Sequence, residues 1–301
     1  MYIINNRYKI KELGGTISLF VTACFFSFFG YLGTFLSNRI SLFISLFIIH
    51  VGGIILIGLF TLQQRMKILF NIKITISLIA FGFISILPIF FFNLSLSHEK
   101  IGLVLLTQNS TTLCLSFIAS FYILKEKINI KYLGLILIIL LGIATIYIPI
   151  TLNNILGLIF PLLVGLSNFV VNILRKYLSK KINSSVMALY KCFIGTLVFV
   201  FLILINLDSL KVSFSLDIVI CLLLYTLLDS LTLVLLNIGF SNLHFTVGNA
   251  ILVLEIPLGF LIGLVFAKQS IIFHELTGSL IVMIAIFLVK LEEAIRHNIS
   301  I

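Results

Sequence analysis

The chain has 301 residues, of which 61% are hydrophobic and only 10% are charged. Soluble domains have roughly 45–50% apolar and about 25% charged residues, so a water-soluble fold of this chain would keep a largely aliphatic surface. The composition excludes that class and predicts an all-α integral membrane protein. The net charge of +10 is spread over short segments between apolar runs, so nucleic acid is not an expected partner.

Ten apolar runs follow one another along the chain, separated by charged and turn residues. Backbone groups in lipid need partners within their own segment, so each run is predicted to be a transmembrane helix. The first run follows a basic tail, but it is too long for a signal-peptide core and is interpreted as a permanent span. The predicted spans are 14–36, 40–62, 72–94, 101–123, 132–150, 155–174, 184–205, 216–239, 245–267 and 273–291.

The distribution of basic residues predicts the orientation of these spans. Of the 20 Lys and Arg residues, 15 fall on the side of the amino terminus, 4 fall on the opposite side, and Lys191 lies within a span. By the positive-inside rule, both termini are expected in the cytoplasm. The lack of Trp and the excess of Ile and Phe over Ala are typical of an AT-rich bacterial genome, so the predicted location is a bacterial inner membrane.

Enzymatic motifs are not found in the sequence. His274 and Glu275 begin a string similar to HExxH, but Gly278 stands where the second histidine belongs. There is no phosphate-binding glycine loop and no nucleophile elbow. Each cysteine lies inside an apolar run without paired spacing, which is typical of small buried hydrophobes. We therefore expect neither an enzyme nor a metal or other cofactor.

The two halves of the chain can be aligned without gaps near their ends. A shift of 144 residues matches spans three to five with spans eight to ten, and a shift of 141 matches span two with span seven. The matched pairs include Asn93 with Asn237, Ser97 with Ser241, Gly134 with Gly278, Arg39 with Lys180, and His50 with Lys191. Five is an odd number, so residues 1–150 and 151–301 are predicted to be two inverted repeats, the plan of many alternating-access transporters.

Three segments resemble a known family. Residues 117–146, FIASFYILKEKINIKYLGLILIILLGIATI, are similar to the end of an EamA-like repeat, with Glu126 and Gly134 at the matching positions. EIPLGFLIGLVFAKQSIIFHELTGSLIVMIAIFLV in the second half is similar, with Pro257 and Gly278 matching, and GLSNFVVNILRKYL resembles the family's first-helix pattern. Leu113 and Ser270 depart from it. The resemblance to the drug/metabolite transporter superfamily implies a ten-helix transporter and leaves the substrate open.

Four ionisable residues fall in the middle of predicted spans, where a charge costs about 2.5–3.5 kcal/mol even on the lenient insertion scale. Glu255 is expected either to bind an amine or a proton, or to form interhelical hydrogen bonds. Asp229 is expected to carry a proton or pair with a cation, unless its span is displaced towards an interface. Lys191 is expected to bind an anion or neutralise a carboxylate, or else to reach the interface. His50 is expected to make a core hydrogen bond.

Uncharged polar residues outline a path between the spans. Asn168, Asn172 and Arg175 are spaced i, i+4, i+7 and therefore share one helical face. The other candidates share the property of being polar or amphipathic within a span; they are Gln108, Thr111, Thr112, Asn249, Tyr31, Tyr190 and Tyr225. Hydrogen bonding between helices is the alternative role for this set. The hairpin residue Glu126, with Lys125 and Lys127, is expected to be structural.

The sequence thus predicts a secondary active transporter of a small organic solute, such as an amino acid or related polar metabolite, acting as an exporter or exchanger. The alternatives are an integral-membrane enzyme acting on lipid and a non-transporting membrane subunit or receptor. The expected partners are a small-molecule substrate and membrane lipid. Protons are the candidate coupling ion, and a homodimer is the candidate assembly.

Overall fold

A computed structural model describes residues 2–63, 72–122, 130–148, 152–179, 181–206, 215–243 and 245–299. These residues contain eleven α-helices and no strand. The helices are α1 (Tyr2–Ser37), α2 (Leu42–Gln63), α3 (Ile72–Ser95), α4 (Ile101–Tyr122), α5 (Ile130–Ile146), α6 (Leu152–Leu178), α7 (Ser184–Ile205), α8 (Leu216–Asn242), α9 (Phe245–Leu252), α10 (Glu255–Val265) and α11 (Phe273–Ile299). The prediction of an all-helical chain is confirmed for this part of the sequence.

Seven of the helices are long and apolar enough to cross a membrane. They are α1 to α4 and α6 to α8, while α5, α10 and α11 contain shorter apolar stretches of 10–17 residues. Many large side chains on the outside of the bundle are aliphatic or aromatic and more than half exposed, including Leu59, Leu137, Phe201, Leu223 and Phe287. In water such a surface would drive aggregation. The structure is that of a multi-pass membrane protein.

The count of helices differs from the ten expected, because the ninth predicted span is interrupted between α9 and α10. The amides of Leu254 and Ile256 donate to the carbonyls of Ile251 and Val253, at 3.1 and 3.0 Å, in tight i to i−3 bonds. Pro257 follows directly and has no N–H to continue the i to i−4 pattern. Pro257 is a matched residue of the family resemblance, but the apolar run around it predicts one continuous span and not a break before Pro257.

The bundle is built from helix pairs in close contact. α2 packs on α7, α5 on α11, α1 on α8, and α3 on α6; α4 contacts both α6 and α10, and α1 also contacts α9 and α10. The closest approach of α5 and α11 is at Gly142 and Gly278, where a Cβ on Gly278 would lie 2.7 Å from the carbonyl oxygen of Gly142. Gly134, which the sequence alignment paired with Gly278, has nothing within 4 Å of an added Cβ.

Two other expectations concern side chains elsewhere in the chain. All four cysteines are free, with Cys192 and Cys221 buried and Cys24 and Cys114 half-buried. This agrees with their expected role as apolar packing residues. The hairpin residue Glu126 and its two neighbouring lysines lie outside the described residues, so their expected structural role stays a prediction.

Candidate functional site

A cavity lies at the centre of the bundle, with an empty volume of about 970 Å³ when its opening to solvent is counted. Its walls come from α1, α3, α4, α6, α7, α8, α9 and α10, so both halves of the chain contribute to it. The polar and ionisable lining residues are Ser85, Gln108, Asn109, Thr112, Asn168, Asn172, Arg175, Lys191, Tyr225, Asp229, Thr232, Asn249 and Glu255. A concave site with a mainly apolar wall and a few polar groups is typical of sites for small organic ligands.

An ion pair joins α7 and α8 at the cavity wall. The Nζ atom of Lys191 lies 3.6 Å from Oδ1 of Asp229, and both side chains are more than nine-tenths buried. Lys191 therefore does not extend to the membrane interface, one of its expected alternatives, but neutralises a carboxylate. Asp229 is likewise buried inside the bundle, at 4% exposure.

Glu255 reaches the same cavity with a different set of partners. It is the first residue of α10 and is 3% exposed. Its Oε1 accepts hydrogen bonds from Nε2 of Gln108, at 2.9 Å, and from Nδ2 of Asn109. Both donors are neutral amides on α4, and no cation forms an ion pair with Glu255 within the described residues. The break before α10 places this carboxyl at a helix start, where the helix dipole favours negative charge.

The face of α6 that the sequence spacing identified is turned towards the cavity. Asn168, Asn172 and Arg175 all line it. Nε of Arg175 donates to Oδ1 of Asn237 on α8 at 2.9 Å, and Nη1 donates to Oδ1 of Asn172. Nδ2 of Asn172 donates to Oδ1 of Asn249 on α9 at 2.9 Å. This network connects three helices through amides and one guanidinium.

Several buried polar atoms of the cavity have no hydrogen-bond partner. Among the described residues, six buried side-chain oxygen or nitrogen atoms are unpartnered, and four of them belong to residues that line the cavity: Ser85 Oγ, Gln108 Oε1, Thr232 Oγ1 and Glu255 Oε2. Buried polar groups in folded proteins are nearly always satisfied. Their concentration at this cavity indicates that it is a place for polar ligand atoms or water.

Ten of the fourteen candidate residues expected from the sequence line the cavity. His50, Thr111, Tyr31 and Tyr190 do not. The imidazole of His50 is fully buried between α2 and α7, with Nδ1 2.7 Å from the carbonyl oxygen of Leu46 and the ring packed against Gly195 and Phe199. This is the core hydrogen bond expected for His50. Tyr190 packs against the apolar cluster between α3, α6 and α7.

Some of the expected residues also hold helices together. The hydroxyl of Thr112 donates to the carbonyl oxygen of Gly165 on α6 at 3.0 Å. The hydroxyl of Tyr225 accepts from Nδ2 of Asn93 at 3.3 Å, and its ring lies 4.9 Å from that of Phe29. These contacts correspond to the interhelical hydrogen bonds kept as the alternative role. They do not remove the residues from the cavity wall.

Asn109, Ser85 and an apolar part of the lining were not predicted from the sequence. Asn109 is as polar as its neighbour Gln108. Adjacent residues of a helix point to different faces, so the i, i+4 spacing that selects Gln108 and Thr112 does not select Asn109. Phe26, Phe29 and Phe92 look like any other apolar residues of a span, so no local signal separates them from lipid-facing or core positions. Only the packing of α1 and α3 brings them to the cavity.

A second polar cluster lies away from the cavity, in the loop between α3 and α4. Nζ of Lys100 contacts both carboxylate oxygens of Glu275 at 2.6 Å, and the amide of Lys100 donates to Oε1 of Glu99 at 2.8 Å. Burial raises the pKa of the Glu99 carboxyl above its usual range. This cluster ties the start of α4 to the start of α11. None of its residues lines the cavity.

Comparison with known proteins gives information about the fold. No protein-family model matches the chain, and no curated protein matches its sequence. Twenty-seven chains of solved structures do match. One of them, described only as "Crystal structure of protein", superposes with a TM-score of 0.67 over 92% of this chain and 96% of its own, with 12% sequence identity. The chain therefore shares its helical fold with proteins of known structure, and the likeness in sequence to this one is low.

Proposed function

We propose that the chain is a secondary active transporter that moves a small organic solute, such as an amino acid or related polar metabolite, by alternating access. The observation that carries this proposal is the central cavity, because its wall combines two buried carboxylates and two buried cations from the second half of the chain with neutral polar residues from the first half. Ionisable groups inside a membrane bundle are costly and typically mark substrate or ion pathways.

Support for an inverted repeat comes from the helix neighbours. We treat α9 and α10 as one interrupted span and exchange each span with the one five places further on. The contact of α1 with α8 then becomes that of α6 with α3, and the contact of α4 with α6 becomes that of α9 and α10 with α1; both members of each pair are present. The pairs α2 with α7 and α5 with α11 map onto themselves. This symmetry favours ten spans in two halves, as in the drug/metabolite transporter superfamily.

The broken ninth span also supports a transport function. Discontinuous helices near the middle of the bundle are a recurring way to present helix ends and polar groups to a transported solute. Here the break delivers Glu255 to the cavity. We assign this carboxylate the role of binding a solute ammonium group or a coupling proton. We assign the Lys191–Asp229 pair the role of neutralising each other's charge. The proposed setting is a bacterial inner membrane with both termini in the cytoplasm.

Purified protein in liposomes tests the proposal. Uptake of a panel of labelled amino acids and related metabolites would be measured with and without a pH gradient, for the unchanged protein and for Glu255→Gln and Asp229→Asn. We expect solute accumulation by the unchanged protein and its loss in both variants. The matched control is Asp217→Asn, which removes a carboxylate from the same helix as Asp229 but from an exposed pair with Arg39 outside the cavity.

Two outcomes would contradict parts of this proposal. If no solute moved under any gradient or in exchange, a lipid-modifying enzyme or a non-transporting membrane subunit would replace the transporter. If transport were intact in Glu255→Gln and Asp229→Asn alike, the cavity carboxylates would have no coupling role.

A further inference from the structure

The cavity wall contains a buried guanidinium without a carboxylate partner. Arg175 lies in the last turn of α6 and is only 5% exposed. Its two hydrogen bonds, to Asn237 and Asn172, go to neutral amide oxygens. Within the described part of the chain no carboxylate lies within ion-pair distance of Arg175, and its Nη2 atom has no hydrogen bond. The positive charge is thus held in the bundle by amide dipoles and by the ring of Phe240, whose centroid lies 5.7 Å from Cζ of Arg175.

The other ion pairs make this arrangement distinctive. Lys191 has Asp229 at 3.6 Å, Lys100 has Glu275 at 2.6 Å, and the exposed Arg39 has Asp217 at 2.7 Å. Burying a charge without a counter-ion is strongly unfavourable. A guanidinium remains protonated and offers five donors in a planar fork. Arg175 therefore has both the charge and the free donor capacity for an anion that enters the cavity.

The surroundings of Arg175 are preorganised for such an anion. Nδ2 of Asn172 donates to Oδ1 of Asn249, and this bond orients the Asn172 side chain so that its oxygen faces Arg175. The oxygen accepts from Nη1 of Arg175 and fixes the guanidinium. Asn168 lies two turns earlier on the same face of α6 and also lines the cavity. The next residue, Lys176, donates to the main-chain carbonyls of Phe240 and Leu243 and does not line the cavity.

We infer that the cavity binds its solute through an anionic group, a carboxylate or a phosphate, held by Arg175 beside Asn172 and Asn168. This inference rests on the proposed transport function and narrows its substrate class to solutes that carry an acid group. The Lys191 ammonium is not the anion ligand, because Asp229 already neutralises it. Arg175 is then the residue that determines specificity for the acid group, since a guanidinium binds either oxyanion in a bidentate manner.

The remainder of the cavity indicates an apolar body for the solute. Phe26, Phe29, Pro88, Phe92 and Leu105 all line it. A matched probe series with one branched alkyl group is therefore suitable: leucine, 4-methylpentanoate, isopentyl phosphate and isopentylamine. These probes differ in whether they present a carboxylate, a phosphate or only an ammonium group.

Ligand-induced thermal stabilisation of the full chain in detergent tests the inference without requiring transport. We expect leucine and at least one of the two acids to raise the unfolding temperature, and isopentylamine to have no effect. Which acid acts distinguishes a carboxylate site from a phosphate site. In Arg175→Gln the apparent affinity for the active acid should fall on the order of a hundredfold, the effect of removing one partner of a buried charged contact. Arg39→Gln, which removes an exposed arginine, is the matched control and should bind like the unchanged protein.

Asn172→Asp separates a binding role of Arg175 from a purely structural one. The new carboxylate would pair with the guanidinium, so the unfolding temperature without ligand should be kept or raised while acids no longer stabilise the protein. If acids stabilised Asn172→Asp and Arg175→Gln as well as the unchanged protein, or if isopentylamine matched them, the inference would be wrong. Stabilisation by none of the acids would also refute it.

The two proposals can fail separately. Acid binding through Arg175 without solute movement in liposomes would support the anion site and refute the transport function. Transport of solutes that lack any acid group would support the transport function and refute the anion site.

Discussion

Asp229 and Glu255 are two buried carboxylates in one cavity, held in opposite ways. Asp229 has the ammonium of Lys191 at 3.6 Å, whereas Glu255 has two neutral amides at one oxygen and no partner at the other. A charge paired with a counter-ion is fixed by that counter-ion. A carboxyl group held by neutral amides can be protonated without leaving a buried cation unpaired. Glu255 can therefore bind a proton or a solute ammonium group at little structural cost.

Lys191→Met should have the largest effect on stability, because it leaves the Asp229 carboxylate buried without a counter-ion. We expect the free energy of unfolding to fall by about 3–5 kcal/mol, as measured by denaturant unfolding in mixed micelles. The double variant with Asp229→Asn removes both charges and should regain most of that loss. Equal instability of the single and double variants would show that the ion pair does not set the stability of this region.

Gln108→Leu tests the other carboxyl by removing one of the amide donors of Glu255. The same unfolding measurement should show a loss of about 1–3 kcal/mol, the usual cost of leaving a buried polar group under-satisfied. Thr111→Val, on the same helix but outside the Glu255 contacts, is the control and should cost less. A loss for Gln108→Leu as large as that for Lys191→Met would contradict the contrast between the two carboxylates.

Glu255→Gln should change the free energy of unfolding by less than about 1 kcal/mol, because the new amide oxygen can accept both existing hydrogen bonds. The same variant is expected to lose solute transport in liposomes. This combination of an intact fold and absent activity is the signature of a functional carboxyl. Strong destabilisation by this substitution would instead indicate that Glu255 is charged and structurally required.

The smallest effect is expected for Asp217→Asn, which removes an ion pair in which both side chains are about half exposed. Exposed pairs are screened by solvent and contribute little. The thermal midpoint in detergent should be indistinguishable from that of the unchanged protein. A clear shift would mean that the Arg39–Asp217 contact is protected in a way that the exposure of its side chains does not indicate.

The candidate site could be predicted from the sequence to the extent that its residues are chemically conspicuous. A carboxylate or lysine inside an apolar run, such as Asp229 or Lys191, stands out because a charge in a membrane span is energetically costly and therefore rare. An i, i+4, i+7 spacing likewise identified the face of α6 with Asn168, Asn172 and Arg175. His50 is equally conspicuous in the sequence but lies away from the cavity. A run of apolar residues does not reveal which side of a helix faces the centre, so this position could not be predicted.

The sequence by itself determined that the chain is a helical membrane protein, because hydrocarbon solvent leaves the backbone few alternatives and the length of each apolar run reports directly on a span. It did not determine the interruption of the ninth span, which depends on Pro257 together with the tight turn before it. Only the tertiary structure decided which charges meet. Lys191 and Asp229 are 38 residues apart in the sequence and Asn109 and Glu255 are 146 apart, and such pairings follow from helix packing rather than from any local pattern.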